Sequence, residues 1–130
     1  MKLLRFAFMP LAFAVYLMAG QAMAGEKASF SQVAFEAAER AGGPILVDVA
    51  ASWCPTCRAQ APILDQLVSE PKFKDFEVFV VDFDSQKDAL RLFGVRQQST
   101  LIVFNGATEV GRSVGDTGKA SIEALLAKGL

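Results

Sequence analysis

Ile45-Leu46-Val47-Asp48-Val49-Ala50-Ala51-Ser52-Trp53-Cys54-Pro55-Thr56-Cys57 carries both the architecture and the chemistry of the chain. Its first six residues are nearly all apolar and rich in β-branched side chains, the pattern of a short strand buried on both faces. Asp48 is the anomaly within it. Pro55 then suits the first turn of a helix, where its missing N–H is not needed. The two cysteines therefore sit where a buried strand feeds a helix, and that junction makes them unequal. Cys54 lies at the helix start, where unpaired backbone N–H groups and the positive end of the helix dipole favour a thiolate. Cys57, three residues on, lies on the same helical side, can close a disulfide with Cys54, and is expected to be the less exposed, resolving thiol.

The rest of the composition narrows the chemistry. The 130 residues hold no histidine, which excludes His-based triads, His-ligated zinc and histidine general bases. With 13 Lys+Arg against 14 Asp+Glu, nothing marks a nucleic-acid partner. Cys54 and Cys57 are the only cysteines, so a disulfide-stapled scaffold is excluded and the pair is read as a unit. Four Cys or His ligands normally hold zinc, and one chain supplies two, so a metal site would need a second chain or carboxylates.

Residues 1–24 differ from the remainder. Lys2 and Arg5 precede an apolar run from Phe6 to Ala19, and Ala22-Met23-Ala24 offers small residues at both cleavage positions. We read a signal peptide cleaved after Ala24; the run is short of the roughly 20 residues that cross a bilayer. No cysteine follows the cleavage point to take a lipid. Cleavage removes Lys2 and Arg5 but no acid, leaving 11 basic against 14 acidic residues and a charge of −3 on residues 25–130. It also removes Tyr16 and all four methionines, so the core must be built from Phe, Leu, Ile, Val and Ala around a single tryptophan, Trp53.

Along residues 25–130, a polar start leads to a Ser-x-x-Gln cap signal at Ser29–Gln32. A helix over about 31–41 follows, with Val33, Ala34, Ala37, Ala38 and Ala41 at helical spacing and Gly42-Gly43-Pro44 stopping it. After the 45–50 strand, a helix runs from Pro55 to Val68, with Pro62 expected to kink it. A second strand covers 76–82, and a brief helix capped by Ser85 ends at Gly94. Thr100–Phe104 is a third strand, Asn105-Gly106 turns it into an antiparallel return over about 109–114, and a last helix follows Gly118. This order predicts one α/β domain, a mixed central sheet of four to five strands with helices on both faces.

From about residue 28 onward, the chain resembles a thioredoxin-fold domain with a Cys-x-x-Cys active site. The resemblance rests on Val47–Cys57, on Pro62 five residues after the second cysteine, on Thr100–Phe104 and on Gly115. It implies a thiol–disulfide oxidoreductase acting on protein disulfides, with no cofactor beyond the Cys54–Cys57 disulfide, no metal, and a monomeric state. It implies that Asp48 is the buried acid that exchanges a proton with the resolving cysteine, and that Trp53, Pro55, Thr56, Gln98, Ser99 and Gly115 surround the substrate. An acid inside an apolar strand should also have its pKa raised by desolvation.

Two positions depart from the family pattern. Ser99 stands where the family has a cis-proline before the Thr-Leu strand; a cis bond to a non-proline residue costs roughly 2.5–4 kcal/mol, so a trans Gln98–Ser99 bond is expected. Loss of the proline should uncover the thiols, and the hydroxyl could help hold a metal or iron–sulfur cluster. Val80 stands where many relatives have a lysine, which would leave Asp48 without a cationic neighbour. The Pro55-Thr56 pair resembles the Cys-Pro-Thr-Cys of exported reductants, which favours a periplasmic reductase recharged by a membrane thiol relay. The alternatives are a disulfide-introducing oxidase, a metal- or cluster-binding module bridged by Cys54 and Cys57 in a dimer, and a non-catalytic adaptor.

Overall fold

The computed structural model describes residues 27–130, so the segment read as a signal peptide lies outside the described residues. In chain order the elements are β1 (Lys27–Ser29), α1 (Gln32–Ala41), β2 (Pro44–Ala50), α2 (Pro55–Val68), a 3-10 turn (Pro71–Phe73), β3 (Glu77–Asp82), α3 (Lys87–Phe93), β4 (Thr100–Asn105), β5 (Thr108–Val114) and α4 (Lys119–Ala127). The five strands form one sheet in the order β1-β3-β2-β4-β5. The β1–β3 and β3–β2 pairs are parallel, and the β2–β4 and β4–β5 pairs antiparallel.

The alternation of β2 divides the core. Ile45, Val47 and Val49 enter one apolar layer with Phe35 and Ala38 of α1 and Leu90 and Phe93 of α3. Leu46 faces the other layer, with Leu64 and Leu67 of α2 and Ile122 and Leu126 of α4. Period-two side chains in a strand covered on both faces require this apolar run. Asp48 falls on the Leu46 side, beneath α2.

Three local expectations are corrected. The cap signal was placed at Ser29–Gln32, but Lys27–Ser29 is a strand paired with β3 and the α1 cap is Ser31, whose hydroxyl accepts the Ala34 N–H at 3.3 Å. Gln32 bonds Glu36 instead of closing a cap on Ser29. Val33, expected on the buried stripe, is 76% exposed, because α1 is rotated to bury Phe35 and Ala38. Helix α3 begins after Gln86, not with a Ser85 cap. Asp82 takes the Asp84 and Ser85 N–H groups, while the Gln86 side chain accepts from Asp82 N–H and donates to the Phe30 carbonyl.

Elsewhere the glycine stop after α1 operates as read. Gly42 ends α1 at φ +82°, donating its N–H to the Ala38 and Glu39 carbonyls. The hairpin turns one residue later than its signal, on Gly106-Ala107, with Asn105 paired to Thr108. Gly106 needs to be glycine for two reasons: φ is +56°, and a Cβ there would meet Gly42 Cα at 3.3 Å. Pro62 lies inside an α2 that continues to Val68.

Candidate functional site

The site is assembled where β2 hands over to α2. Cys54 is the N-cap of α2: its Sγ accepts the Cys57 N–H at 3.1 Å, and Pro55 occupies the first turn. Cys54 and Cys57 are joined as a disulfide with their Cα atoms 5.3 Å apart. The three-residue spacing, bent into a helical turn, makes this bridge possible without moving the backbone. Ala50, Ala51 and Phe83 pack against the pair.

The order of exposure reverses the expectation. Cys54 is 1% exposed and Cys57 8%. The cap geometry explains this, because accepting the Cys57 N–H turns the Cys54 sulfur back over the helix end. Nor does the loss of proline uncover the thiols. Ser99 is 2% exposed, and its Oγ lies 3.1 Å from each of the two sulfurs. The Gln98–Ser99 peptide is trans, there being no cis bond among the described residues, and Ser99 instead takes a left-handed φ of +62°.

The loop carrying Ser99 is fixed from three directions. Its N–H donates to the Val49 carbonyl at 2.8 Å. Its carbonyl accepts the Gly115 N–H at 2.9 Å and the Gln60 Nε2 at 3.3 Å. Gly115, with φ +71°, therefore positions Ser99. Gln60 is 1% exposed and also donates to the Asp116 carbonyl at 2.8 Å. Reading the sequence missed Gln60, although a polar residue three positions after Cys57, on the apolar stripe of α2, is a visible signal. Gln98 is half-buried, Pro55 exposed and Thr56 half-buried at the helix start.

Trp53 is 52% exposed, and its indole Nε1 donates to Asp84 Oδ2 at 2.8 Å. It is a flap beside the disulfide, tied to the loop after β3. Among the described residues, no three His, Cys, Asp or Glu side chains converge on a metal position.

Asp48 is buried on the α2 side of the sheet, opposite Val80 on β3 and Leu101 on β4. It lies two residues, about 7 Å along the strand, from Ala50 at the cysteine pair. Burial pushes its carboxyl above the usual carboxylate range, Lys27 opposes the rise, and Asp65 adds to it. The expectation that Asp48 lacks a cation is thus corrected. Lys27 on β1 pairs with Asp65 on α2 at 2.7 Å, and this ion pair straddles the edge of the site. The charge comes from Lys27 on β1, while Val80 occupies the β3 position opposite Asp48.

The raised carboxyl has a measurable consequence for folding. A folded-state pKa above the ordinary 3.8 means the folded chain holds the Asp48 proton more tightly than the unfolded chain. The associated stability is complete below pH 3.8 and is lost as pH rises through the folded value. Each unit of that difference is worth about 1.36 kcal/mol. An Asp48→Asn protein should therefore be more stable than the parent at pH 7 but not at pH 3.5, measured by urea unfolding of the oxidised form. A gap independent of pH would mean that burial does not set the ionisation of Asp48. Using the difference between the two proteins cancels Asp82 and Glu123, whose pKa values are lowered and whose contributions run the opposite way.

Comparison with known proteins agrees with this geometry. The thioredoxin family model matches residues 26–128. The chain is 30% identical over 90 residues to "Thioredoxin Asp f 29" of Aspergillus fumigatus, covering 69% of this chain and 82% of that protein. It is 36% identical over 88 residues to the thioredoxin of Chlamydia muridarum, covering 68% and 84%. Among solved structures, Trxlp from Edwardsiella tarda superposes with a TM-score of 0.76 at 44% identity, covering 78% of this chain and 98% of that one. A redox pair capping the helix that follows a buried strand, in a five-stranded mixed sheet and within this sequence kinship, places the chain in the thioredoxin family as a thiol–disulfide oxidoreductase.

Proposed function

We propose that the protein is an exported reductase of protein disulfides, in which Cys54 attacks and Cys57 resolves. The observation that carries the reading is the Cys54 sulfur at the start of α2, accepting the Cys57 N–H. A thiolate formed there keeps that hydrogen bond and the favourable end of the helix dipole. The Cys54 thiolate attacks one sulfur of a substrate disulfide, forming a mixed disulfide and releasing the other sulfur as a thiolate. Cys57 then loses its proton to the Asp48 carboxylate and attacks Cys54, releasing the second substrate sulfur as a thiolate and leaving the Cys54–Cys57 disulfide. Two electrons pass to the substrate. Trp53, Pro55, Thr56, Gln98, Ser99 and Gly115 frame the surface on which the substrate chain docks, and the couple works without a further cofactor.

Export is supported by the basic, apolar and small-residue segments of residues 1–24, and the periplasm is the compartment we assign. A reductase in an oxidising compartment must be recharged, and a membrane thiol relay is the donor of the required kind. The protein acts as a monomer. The Pro55-Thr56 dipeptide favours reduction over oxidation. The test is the reduction potential of the couple in glutathione or dithiothreitol buffers, read through Trp53. The protein is taken from a periplasmic fraction, where its chain should begin at Gly25. A value near about −270 mV establishes a reductant; one near about −120 mV makes it an oxidant and overturns the direction.

A further inference from the structure

We infer that the Ser99 hydroxyl is a hydrogen-bonding bridge between the two sulfurs, holding reduced Cys54 as thiolate and reduced Cys57 as thiol and so raising the reduction potential of the pair. The geometry is explicit: one oxygen, almost fully buried, stands 3.1 Å from Cys54 Sγ and 3.1 Å from Cys57 Sγ. Every backbone polar group of Ser99 is committed elsewhere, to Val49, Gly115 and Gln60, so the hydroxyl alone faces the cysteines. A non-glycine residue at φ +62° is a strained conformation, held here by those three partners. In that conformation the hydroxyl reaches both sulfurs.

A serine hydroxyl has one proton to donate and two lone pairs to accept with. Beside the disulfide it can only donate, and the two sulfurs share that proton as weak acceptors. After reduction the arrangement becomes directional. The Cys57 S–H donates to Ser99 Oγ, and the Ser99 O–H donates to the Cys54 thiolate. Hydrogen bonds to a charged acceptor are roughly twice as strong as neutral ones, so the hydroxyl favours the reduced state over the oxidised one. The same asymmetry assigns the negative charge to Cys54, where the Cys57 N–H already points.

This inference rests on Cys54 being the attacking thiolate, and the experiment separates the two. Ser99→Ala removes the hydroxyl while keeping the Cβ and the strained backbone; Ser99→Gly removes the hydroxyl and relieves the strain. The readouts are the equilibrium with glutathione and the pH titration of thiolate absorbance in a Cys57→Ser background. Both variants should shift the equilibrium about tenfold toward the disulfide, about 30 mV for a two-electron couple. Both should also raise the Cys54 titration midpoint by about one pH unit. Shifts under about threefold, or opposite shifts in the two variants, would mean that the hydroxyl is idle or that backbone strain sets the potential, and either overturns the inference. If Cys54 in the parent background titrates like an ordinary thiol, the nucleophile assignment itself fails, and this inference with it.

Discussion

A Cys57→Ser protein should accumulate stable mixed disulfides with its substrates, whereas Cys54→Ser should form none and lose turnover by on the order of a thousandfold or more. The cause is electrostatic. In the folded chain, the Cys57 N–H and the start of α2 converge on the Cys54 sulfur, and the Ser99 hydroxyl adjoins it. Accessibility argues the other way, since in the disulfide Cys57 is 8% exposed and Cys54 1%. Thiolate fraction governs attack on a disulfide, but the attacking sulfur must also reach it. Non-reducing gels and intact mass after mixing with an unfolded disulfide-bonded protein decide between them. Adducts on Cys54→Ser but not on Cys57→Ser would reverse the roles and show that exposure outweighs the helix terminus.

The second large effect is on the fold. Phe35→Ala should destabilise the protein by about 3–5 kcal/mol. Phe35 is buried where its ring centroid lies 5.1 Å from that of Phe93, 5.2 Å from Phe104, and 5.8 Å from both Phe30 and Phe79. Three of these contacts are edge-to-face, the arrangement aromatic quadrupoles favour. One ring thus ties α1 to β3, β4 and α3, and truncation opens a cavity that four other phenylalanines cannot close without leaving their own contacts. Domains of this size are stable by roughly 5–15 kcal/mol, so the variant should lose a large share of its stability. Urea unfolding should show a lower midpoint with an unchanged slope. A loss under about 1.5 kcal/mol would mean that the cluster collapses onto the gap.

These two predictions concern residues whose legibility differed. The cysteine pair could be read from the chain alone, because its chemistry depends on local sequence: a buried strand, a proline at the first helical turn, and a spacing that one helical turn closes. Phe35 could not be found that way. The alanines and Val33 around it gave the stronger periodic signal, and only packing against β3, β4 and α3 selects which face of α1 turns inward. The hairpin shows a middle case: the Asn105-Gly106 pair marked the turn, but the pairing of Asn105 with Thr108 places it on Gly106-Ala107, where Gly106 also lies against Gly42.

The site divides in the same manner. Asp48 was visible because a carboxyl within an apolar run contradicts its surroundings, and its raised pKa follows from that contradiction. Its cationic neighbour was invisible. Lys27 lies 21 positions earlier, in a three-residue strand too short to carry a period, and reaches the site because β1 adds to the far edge of β3. Gln60 gave a faint signal and Asp84 none, since neither contact with the site is local.

Short-range pattern and the covalent chain suffice for the order of elements from α1 to α4, for the Cys54–Cys57 pair at a strand-to-helix junction and for the buried acid, but not for β1. Tertiary packing alone makes Cys54 the more buried cysteine, sets Lys27 and Asp65 near the acid and lays Ser99 over both sulfurs. These depend on sheet order and on a loop held at positive φ by Val49, Gly115 and Gln60. Such partners lie far apart along the chain and are brought together by the burial of apolar surface, which no local pattern encodes.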